Sequence, residues 1–207
     1  MKLNSLVLLL MAGLTTMAQA QTAGVAPDAL VKNVTNEVLQ IIRSDKDIQA
    51  GNSKKAIELI EARVLPHFNF THMTQLAVGQ NWKSADVAQK KQLDDEFHTL
   101  LVRTYAKALT GYKNQTVEFK PFKMSAGGAD AKVRTQVNQG SGKPIGLDYY
   151  LEKLQAGWKI FDIEVDGISL VTNYRSSFAS EVSHGGIDGL IKSLQNKNRT
   201  SGYEAKK

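Results

Sequence analysis

The spacing of apolar residues changes twice along the chain. From residue 27 to about residue 110, apolar side chains recur every three or four positions, the period of an amphipathic helix. From residue 117 to 165 they alternate with polar side chains, the period of a strand, and after residue 170 the helical spacing returns. The pattern therefore predicts helices, then a sheet, then helices, in a single α+β domain.

Four helices are predicted before the sheet, over residues 27–42, 53–64, 71–79 and 84–110. Pro27 suits a first helical turn, and the stripe that follows it consists of Val31, Val34, Val38, Ile41 and Ile42. Ser84 is the predicted N-cap of the last and longest helix, and Gly111 is its predicted stop. These helices form one side of the expected fold.

Four strands follow, over residues 117–119, 131–137, 145–151 and 158–165. Short turns join them, so we expect an antiparallel meander rather than a parallel sheet. A helix over residues 171–182 is then expected to end at Gly185 and Gly186, and a short one over 187–194 precedes a polar tail. We predict that this tail, residues 196–207, is disordered.

The last strand carries three acids, Asp162, Glu164 and Asp166, which alternate with Phe161, Ile163 and Val165. Alternation predicts that the acids share a solvated face and that the apolar residues share a buried one. Trp158 and Ile160 break this pattern because they fall on the acidic face. Either a β-bulge shifts the register, or that end of the strand is covered on both sides.

An enzymatic interpretation stays open as the alternative. Asp162 or Glu164 could serve as the base of an enzyme that acts on a hydrophobic substrate. Ser169 follows a strand and a glycine, but Val171 stands where a nucleophile elbow needs its last glycine. We therefore interpret Ser169 as a helix cap and predict no catalytic residue.

The first twenty residues have the pattern of a secretory signal peptide. Lys2 precedes a short apolar run, and Ala18-Gln19-Ala20 offers the small residues that a signal peptidase requires. We expect cleavage after Ala20, one domain over residues 21–195, and no later transmembrane segment. With no cysteine in the chain, export to a bacterial periplasm fits better than a disulfide-rich secreted class.

Composition narrows the chemistry further. Loss of the signal peptide lowers the formal net charge from +6 to +5, which favours anionic partners such as phospholipid headgroups or acidic proteins. The basic residues are scattered, so we expect no nucleic-acid partner. The four histidines lack metal-site spacing and no cysteine can join them, so we expect no metal and no cofactor.

Several segments together resemble the MlaC family of periplasmic phospholipid-binding proteins, also known as the Ttg2D toluene-tolerance family. They are FNFTHM and AVGQNW between residues 68 and 82, LLVRTYAKAL over 100–109, and GWKIFDIEVDGISLVTNYRSSF over 157–178. The resemblance covers nearly all of the chain beyond residue 20. No single segment is specific, but their combination is.

The resemblance implies a highly twisted antiparallel sheet wrapped by helices, related to the NTF2-like fold, with an apolar lipid pocket. It implies a monomeric, non-enzymatic carrier in the periplasm of a Gram-negative bacterium, with phospholipid as its ligand. Such a carrier exchanges lipid with an MlaA-type outer-membrane lipoprotein associated with a porin and with the MlaD-type subunit of an inner-membrane ABC transporter. This transport maintains the lipid asymmetry of the outer membrane.

Bulky apolar side chains that we expect to face the space between sheet and helices are the candidate pocket residues. Such stripes usually form ordinary core, so the choice of residues depends on the resemblance. The candidates are Phe97, Leu101, Tyr105, Phe119, Val133, Leu147, Tyr149, Phe161, Ile163, Leu170, Val171 and Tyr174.

Overall fold

The computed structural model describes residues 24–112, 114–124, 126–140 and 142–200. The predicted signal peptide and its cleavage site after Ala20 lie outside the described residues. Within these residues the chain forms helices, a five-stranded antiparallel sheet and a long final helix. The α+β class predicted from the two changes in apolar spacing is therefore confirmed.

The helices of the described residues are α1 Pro27–Ser44, α2 Lys46–Gln49, α3 Ser53–Leu59, α4 Phe70–Val78, α5 Val87–Thr110 and α6 Arg175–Thr200. One π turn, Ile60–Val64, extends α3 as far as the second helix was predicted to run. Pro66 follows that turn, and its ring and missing N–H prevent the helix from continuing. The chain then crosses to the sheet, where the Asn69 amide donates to the Ile160 carbonyl at 2.8 Å.

The strands are β1 Thr116–Phe119, β2 Asp130–Asn138, β3 Ile145–Leu154, β4 Gly157–Val165 and β5 Ile168–Ser169. Within the described residues they pair in chain order as an antiparallel meander, so the sheet has one strand more than the predicted four. The additional strand β5 folds back on β4 through a tight turn at Asp166 and Gly167, both of which have positive φ angles of 49° and 82°. With two residues, β5 is too short to show alternation in the sequence.

A β-bulge in β4 explains the irregular alternation of its sequence. Tyr150 of β3 pairs with Asp162, and Leu151 pairs with Ile160, so Phe161 is the extra residue. The bulge brings Ile160 and Ile163 to one face of the sheet, where both line the same cavity. The prediction that Phe161 shares a face with Ile163 is wrong. The Phe161 ring stacks on the His72 ring with their centres 4.5 Å apart, and its centre lies 6.4 Å from the centre of the Tyr150 ring.

The long helix α5 begins later than predicted. Asp86, not Ser84, is its N-cap: the Asp86 carboxylate accepts from the Gln89 amide at 2.8 Å, and the Gln89 side chain accepts from the Asp86 amide at 3.1 Å. This reciprocal pair is a capping box. Ser84 instead ends a 3-10 turn, where its hydroxyl donates to the Asn81 carbonyl at 2.7 Å.

The final helix α6 consists of two segments that meet at Gly186, whose φ of 65° and ψ of −168° are not helical. The predicted break at the glycine pair is therefore present as a kink. The second segment extends to Thr200, so the predicted disordered tail begins as helix, and residues 201–207 lie outside the described residues. Asn198 explains the extension, because it is buried and donates to the Glu96 carbonyl at 2.9 Å and to the Glu96 carboxylate at 2.7 Å.

Two packed regions flank the sheet. One, called here the helical cluster, joins α4, the first half of α5 and α6, and its fully buried side chains include Leu93, Phe97, Phe178, Leu190 and Leu194. The other, the sheet cluster, joins α1 to the sheet through Val31, Ala131, Val133, Leu151, Trp158 and Ile160. In the helical cluster the aromatic rings pack directly against one another. The sheet cluster instead borders the cavity described below.

The capping box generates a stability prediction. Replacing Asp86 with Ala leaves the Gln89 amide without its acceptor, and we expect a loss of about 1 kcal/mol in the free energy of unfolding. The matched control is Ser84→Ala, which removes the residue that the sequence pattern favoured, and we expect a change within about 0.5 kcal/mol. Urea unfolding of both variants measures the difference. Equal losses would contradict the observed cap.

Candidate functional site

An apolar cavity of about 460 Å³ lies between α1, the C-terminal end of α5 and one face of the sheet. This volume falls within the range of about 300–1,000 Å³ that is typical of small-molecule sites. Side chains from every one of these elements reach it, so the cavity is a product of the tertiary fold rather than of one segment.

The sheet forms one wall of the cavity. Antiparallel pairing aligns Val117 with Val137 and Val137 with Ile145, and all three line the cavity. Further along the sheet, Tyr149 pairs with Ile163, and both line it as well. The alternation that the sequence shows is therefore the alternation between the cavity face and the outer face.

Helix α1 forms the opposite wall, and it presents short side chains. Its lining residues are Leu30, Val31, Val34, Thr35, Val38 and Leu39, none of them aromatic. Val31 and Val38 are buried, whereas Val34 is only half-buried although it lies on the same stripe. The helix thus covers the sheet without filling the space beneath it.

A polar group lies within this apolar surround. Burial raises the pKa of the Tyr149 phenol, and hydrogen bonds with Thr135 and Thr35 oppose the rise. Thr35 belongs to α1, Thr135 to β2 and Tyr149 to β3, so one small polar group links the two walls.

Three of the predicted pocket residues, Leu147, Tyr149 and Ile163, line the cavity. Val133 and Phe119 lie beside it in the sheet cluster and outside its lining. Leu170 donates its amide to the Ile163 carbonyl at 2.8 Å and is half-buried next to β4. Phe161 lies on the outer face because of the bulge.

The other candidates lie together in the helical cluster. Phe97 packs edge-on against Tyr174 at 5.2 Å and against Phe178 at 5.3 Å. Burial raises the pKa of Tyr105, with a smaller contribution from its hydrogen-bonded neighbour Tyr174. Leu101 and Val171 are buried in the same cluster. The structure therefore brings these five side chains together, but in packed core away from the lining of the cavity.

Most of the residues that line the cavity were not among the predicted pocket residues. They include the α1 stripe, Val64 and Phe68 after α3, Leu109 and Tyr112 at the end of α5, and Ile160 in β4. The α1 stripe is visible in the sequence as a helical pattern, but none of its residues is among the predicted pocket residues. Val34, an apolar residue on the stripe that stays half-buried, is the structural sign that this stripe borders a cavity.

The acids of β4 do not line the cavity. Asp162 is 8% exposed, which contradicts the prediction of a solvated face. It accepts hydrogen bonds from the Ser169 hydroxyl, from the Ile163 amide at 2.8 Å and from the Val171 amide at 3.4 Å. The Ser169 hydroxyl accepts in turn from the Thr172 amide at 2.9 Å. Asp162 thus ties β4 to the start of the final helical segment.

Glu164 lies in a separate ionic network on the outer face of the sheet. It accepts from the Tyr150 hydroxyl at 2.7 Å and from the Lys132 ammonium at 3.3 Å. These contacts, Tyr150 first, hold the pKa of Glu164 below its usual value. Lys132 also pairs with Asp148 at 2.8 Å, and that contact is the main reason why its own pKa is raised. Tyr150 and Lys132 thus stabilise the ionised form of Glu164 and give it a structural role in this network.

Within residues 24–200, apart from the three internal positions that are not described, no helix combines the length and the apolar character of a membrane span. Likewise, no three described side chains of His, Cys, Asp or Glu come close enough together to hold a metal ion.

The model of one protein family, described as MlaC protein, matches residues 32–196. The chain belongs to the MlaC family. The match runs from α1 to the second segment of α6 and so includes both walls of the cavity. The resemblance seen in the sequence is therefore confirmed.

Two curated relatives support the assignment to the MlaC family. One is the intermembrane phospholipid transport system binding protein MlaC of Haemophilus influenzae, 25% identical over 193 residues, covering 87% of this chain and 90% of the relative. The other is the toluene tolerance protein ttg2D of Pseudomonas putida, which is 26% identical over 184 residues. That alignment covers 88% of this chain and 83% of the relative. Both alignments extend over nearly the full length of the relatives.

A solved structure is also similar to this MlaC family member. It is a phospholipid-binding protein from Ralstonia solanacearum in complex with a phospholipid. The TM-score is 0.79 with 39% sequence identity, over 85% of this chain and 98% of that one. Sheet, helices and their arrangement are therefore shared with a protein that holds a phospholipid.

The buried carboxyl of Asp162 generates a pH prediction. Burial raises its pKa above the usual 3.8, outweighing the hydrogen bonds from Ser169 and the two amides. The folded state then holds the Asp162 proton more tightly than the unfolded state, so stability from this group is lost as the pH rises through the folded pKa. Asn at this position does not titrate.

We therefore expect Asp162→Asn to become more stable relative to the wild type as the pH rises from about 4 to 7. Urea unfolding at a series of pH values gives the difference in free energy of unfolding. The acid end of the series serves as the reference, because the two variants differ least in charge there. A difference that stays constant, or that falls with rising pH, would contradict a raised pKa.

Proposed function

We propose that the protein is a soluble, non-enzymatic phospholipid carrier that holds acyl chains in the cavity between α1 and the sheet. The observation that carries the proposal is the cavity itself: Val, Leu, Ile and Tyr side chains form most of its walls, and none of the described residues that line it is charged. Such a site suits a ligand that is long, apolar and flexible. Of the twelve predicted pocket residues, we therefore propose that only Leu147, Tyr149 and Ile163 contact the acyl chains.

The energetics of an acyl chain match this arrangement. Each methylene that leaves water gains about 0.8 kcal/mol, so one long chain gains on the order of 10 kcal/mol without a specific polar contact. Binding of this kind is non-directional, so one cavity accepts chains of differing length and unsaturation. A carrier needs this tolerance, and it needs no reacting group.

The relatives support the choice of phospholipid over other apolar ligands. The Haemophilus relative is named as a phospholipid transport binding protein, and the Ralstonia structure holds a phospholipid. The latter shares 39% of its residues with this chain over 98% of its own length, so its mode of binding is a reasonable guide here.

We further propose that the protein carries phospholipid between the two membranes of a Gram-negative cell, through the periplasm. The signal-like residues 1–20 and the family support this location. An MlaA-type lipoprotein with its porin would be the partner at the outer membrane, and an MlaD-type subunit of an ABC transporter at the inner one. Maintenance of outer-membrane lipid asymmetry would be the result.

The enzymatic alternative has less support from the geometry. Asp162 and Glu164 would have to reach a substrate, but Asp162 is occupied by three hydrogen bonds and Glu164 faces the opposite side of the sheet from the cavity lining. Neither carboxylate is placed to act on a molecule in the cavity. We therefore keep the carrier as the proposed function.

Lipid extraction tests the carrier proposal. Protein purified from the periplasm without detergent should contain phospholipid, detected by mass spectrometry of the intact complex and of the organic extract. A folded protein that contains no lipid, and that takes none from phospholipid vesicles, would contradict the proposal.

Filling the cavity provides the matching substitution. We expect Val34→Trp to lower the copurifying phospholipid by about tenfold or more, because the indole occupies the space that the chain needs. The fold should persist, since a larger side chain is tolerated where a cavity exists.

The matched control is Val87→Trp, the same exchange at a helical position that is 86% exposed. It should leave the lipid content unchanged. If both variants fold and contain equal amounts of lipid, the ligand does not bind in the cavity between α1 and the sheet.

A further inference from the structure

A polar recess adjoins the cavity at the C-terminal end of α1. It is lined by the last turns of this helix and by the start of β1. Leu39 and Val117 line both the recess and the cavity, so the two spaces are neighbours on either side of these residues. The rest of its lining is polar and includes Asn36, Gln40, Ser44, Thr116 and Arg43. An apolar cavity thus opens beside a polar one.

Arg43 is fixed at this junction by a residue of the cavity. Its Nε and Nη2 donate to the Tyr112 hydroxyl at 3.2 and 2.8 Å, and its guanidinium carbon lies 5.7 Å from the centre of the Tyr112 ring. The Tyr112 hydroxyl donates onward to the Gln115 carbonyl. Tyr112 and Gln115 both line the cavity. The guanidinium is therefore held by Tyr112, whose side chain lines the cavity, and neither of its two hydrogen bonds uses Nη1.

Arg43 has no carboxylate partner among the described residues. Of the described residues that line the recess, it is also the one charged side chain. Nearby acids have other partners: Glu37 pairs with Arg63 at 3.2 Å, and Asp45 accepts from the Ile48 and Asp47 amides and from Lys55. No ion pair within the described residues involves Arg43. One positive charge thus remains beside the mouth of an apolar cavity.

We propose that Arg43 binds the phosphate diester of the bound phospholipid in this recess; the inference rests on the carrier function proposed above. A guanidinium matches phosphate oxygens in shape and charge, and a diester carries the single negative charge that one Arg balances. Asn36, Gln40 and Ser44 offer neutral donors and acceptors to the ester oxygens and the headgroup alcohol. The site therefore selects the phosphate that phospholipids share and discriminates little between headgroups.

A pair of ligands that differ only in the phosphate tests this assignment. The probes are short-chain phosphatidylglycerol and diacylglycerol with identical acyl chains, each competing with a fluorescent fatty-acyl probe in delipidated protein. For Arg43→Gln we expect affinity for phosphatidylglycerol to fall by about tenfold to a hundredfold, the range of a charge-assisted hydrogen bond, and affinity for diacylglycerol to stay unchanged.

Two further variants separate the site from general electrostatics. Lys46→Gln removes the same charge three residues away and outside the recess, so the ratio of the two affinities should remain that of the wild type. Tyr112→Phe keeps the ring that lines the cavity but removes the hydroxyl that positions Arg43. It should lower the affinity for phosphatidylglycerol by less than Arg43→Gln does.

Several outcomes would overturn the inference. One is an Arg43→Gln variant with the wild-type ratio of affinities, and another is a variant that loses both ligands equally. Inorganic phosphate, titrated alone, should show no Arg43-dependent binding where phosphatidylglycerol binds; equal binding would assign the recess to free phosphate. If the wild type binds neither lipid, the carrier function fails, whereas wild-type binding without any effect of Arg43 contradicts the recess alone.

Discussion

The cavity depends on one constraint, the size of the side chains that α1 directs toward the sheet. Val31, Val34, Thr35 and Val38 are short and branched, and they leave space above Leu147 and Tyr149. The helical cluster has the opposite composition, with Phe97, Phe178 and Tyr174 in mutual edge contact. Helices cover apolar surface in both regions, but only in the helical cluster do the side chains fill the space between the elements. The rest of the proposed site, from the acyl chain to Arg43 at the mouth, depends on this difference.

This division also distributes stability. Side chains that border a cavity make fewer dispersion contacts than those of a filled core. The helical cluster compensates, because five of its side chains are large and fully buried: Phe97, Phe178, Leu93, Leu190 and Leu194. A ligand that binds only the folded state adds stability by mass action. On the proposed function, this packing keeps the fold intact while lipid enters and leaves.

The sequence predicted the class and order of the elements because apolar periodicity is a local property. It failed where a tertiary contact decides the outcome. The choice between Ser84 and Asp86 as cap depended on the reciprocal bond with Gln89, and the helical start of the predicted tail depended on the distant contact of Asn198 with Glu96. The bulge was one of two stated alternatives, and only the pairing of Tyr150 with Asp162 decides between them.

The candidate site was harder to predict for a physical reason. Large apolar side chains were chosen as pocket residues, but large side chains fill space, so Phe97, Leu101 and Tyr174 became core. A cavity is lined where side chains are too short to meet, as along α1. Leu147, Tyr149 and Ile163 line the cavity because sheet alternation fixes the face on which they lie. The volume of a cavity depends on how two elements pack against each other, so the sequence of one element does not predict it.

The central claim is that acyl chains occupy the space between α1 and the sheet. Its most direct test is nuclear magnetic resonance with methyl-labelled protein bound to phospholipid that carries isotope-labelled acyl chains. We predict intermolecular contacts between the chains and the methyl groups of Val34, Leu147 and Ile163, and none with Leu93 or Leu101 of the helical cluster. Contacts with the helical cluster and none with Val34 would contradict the account.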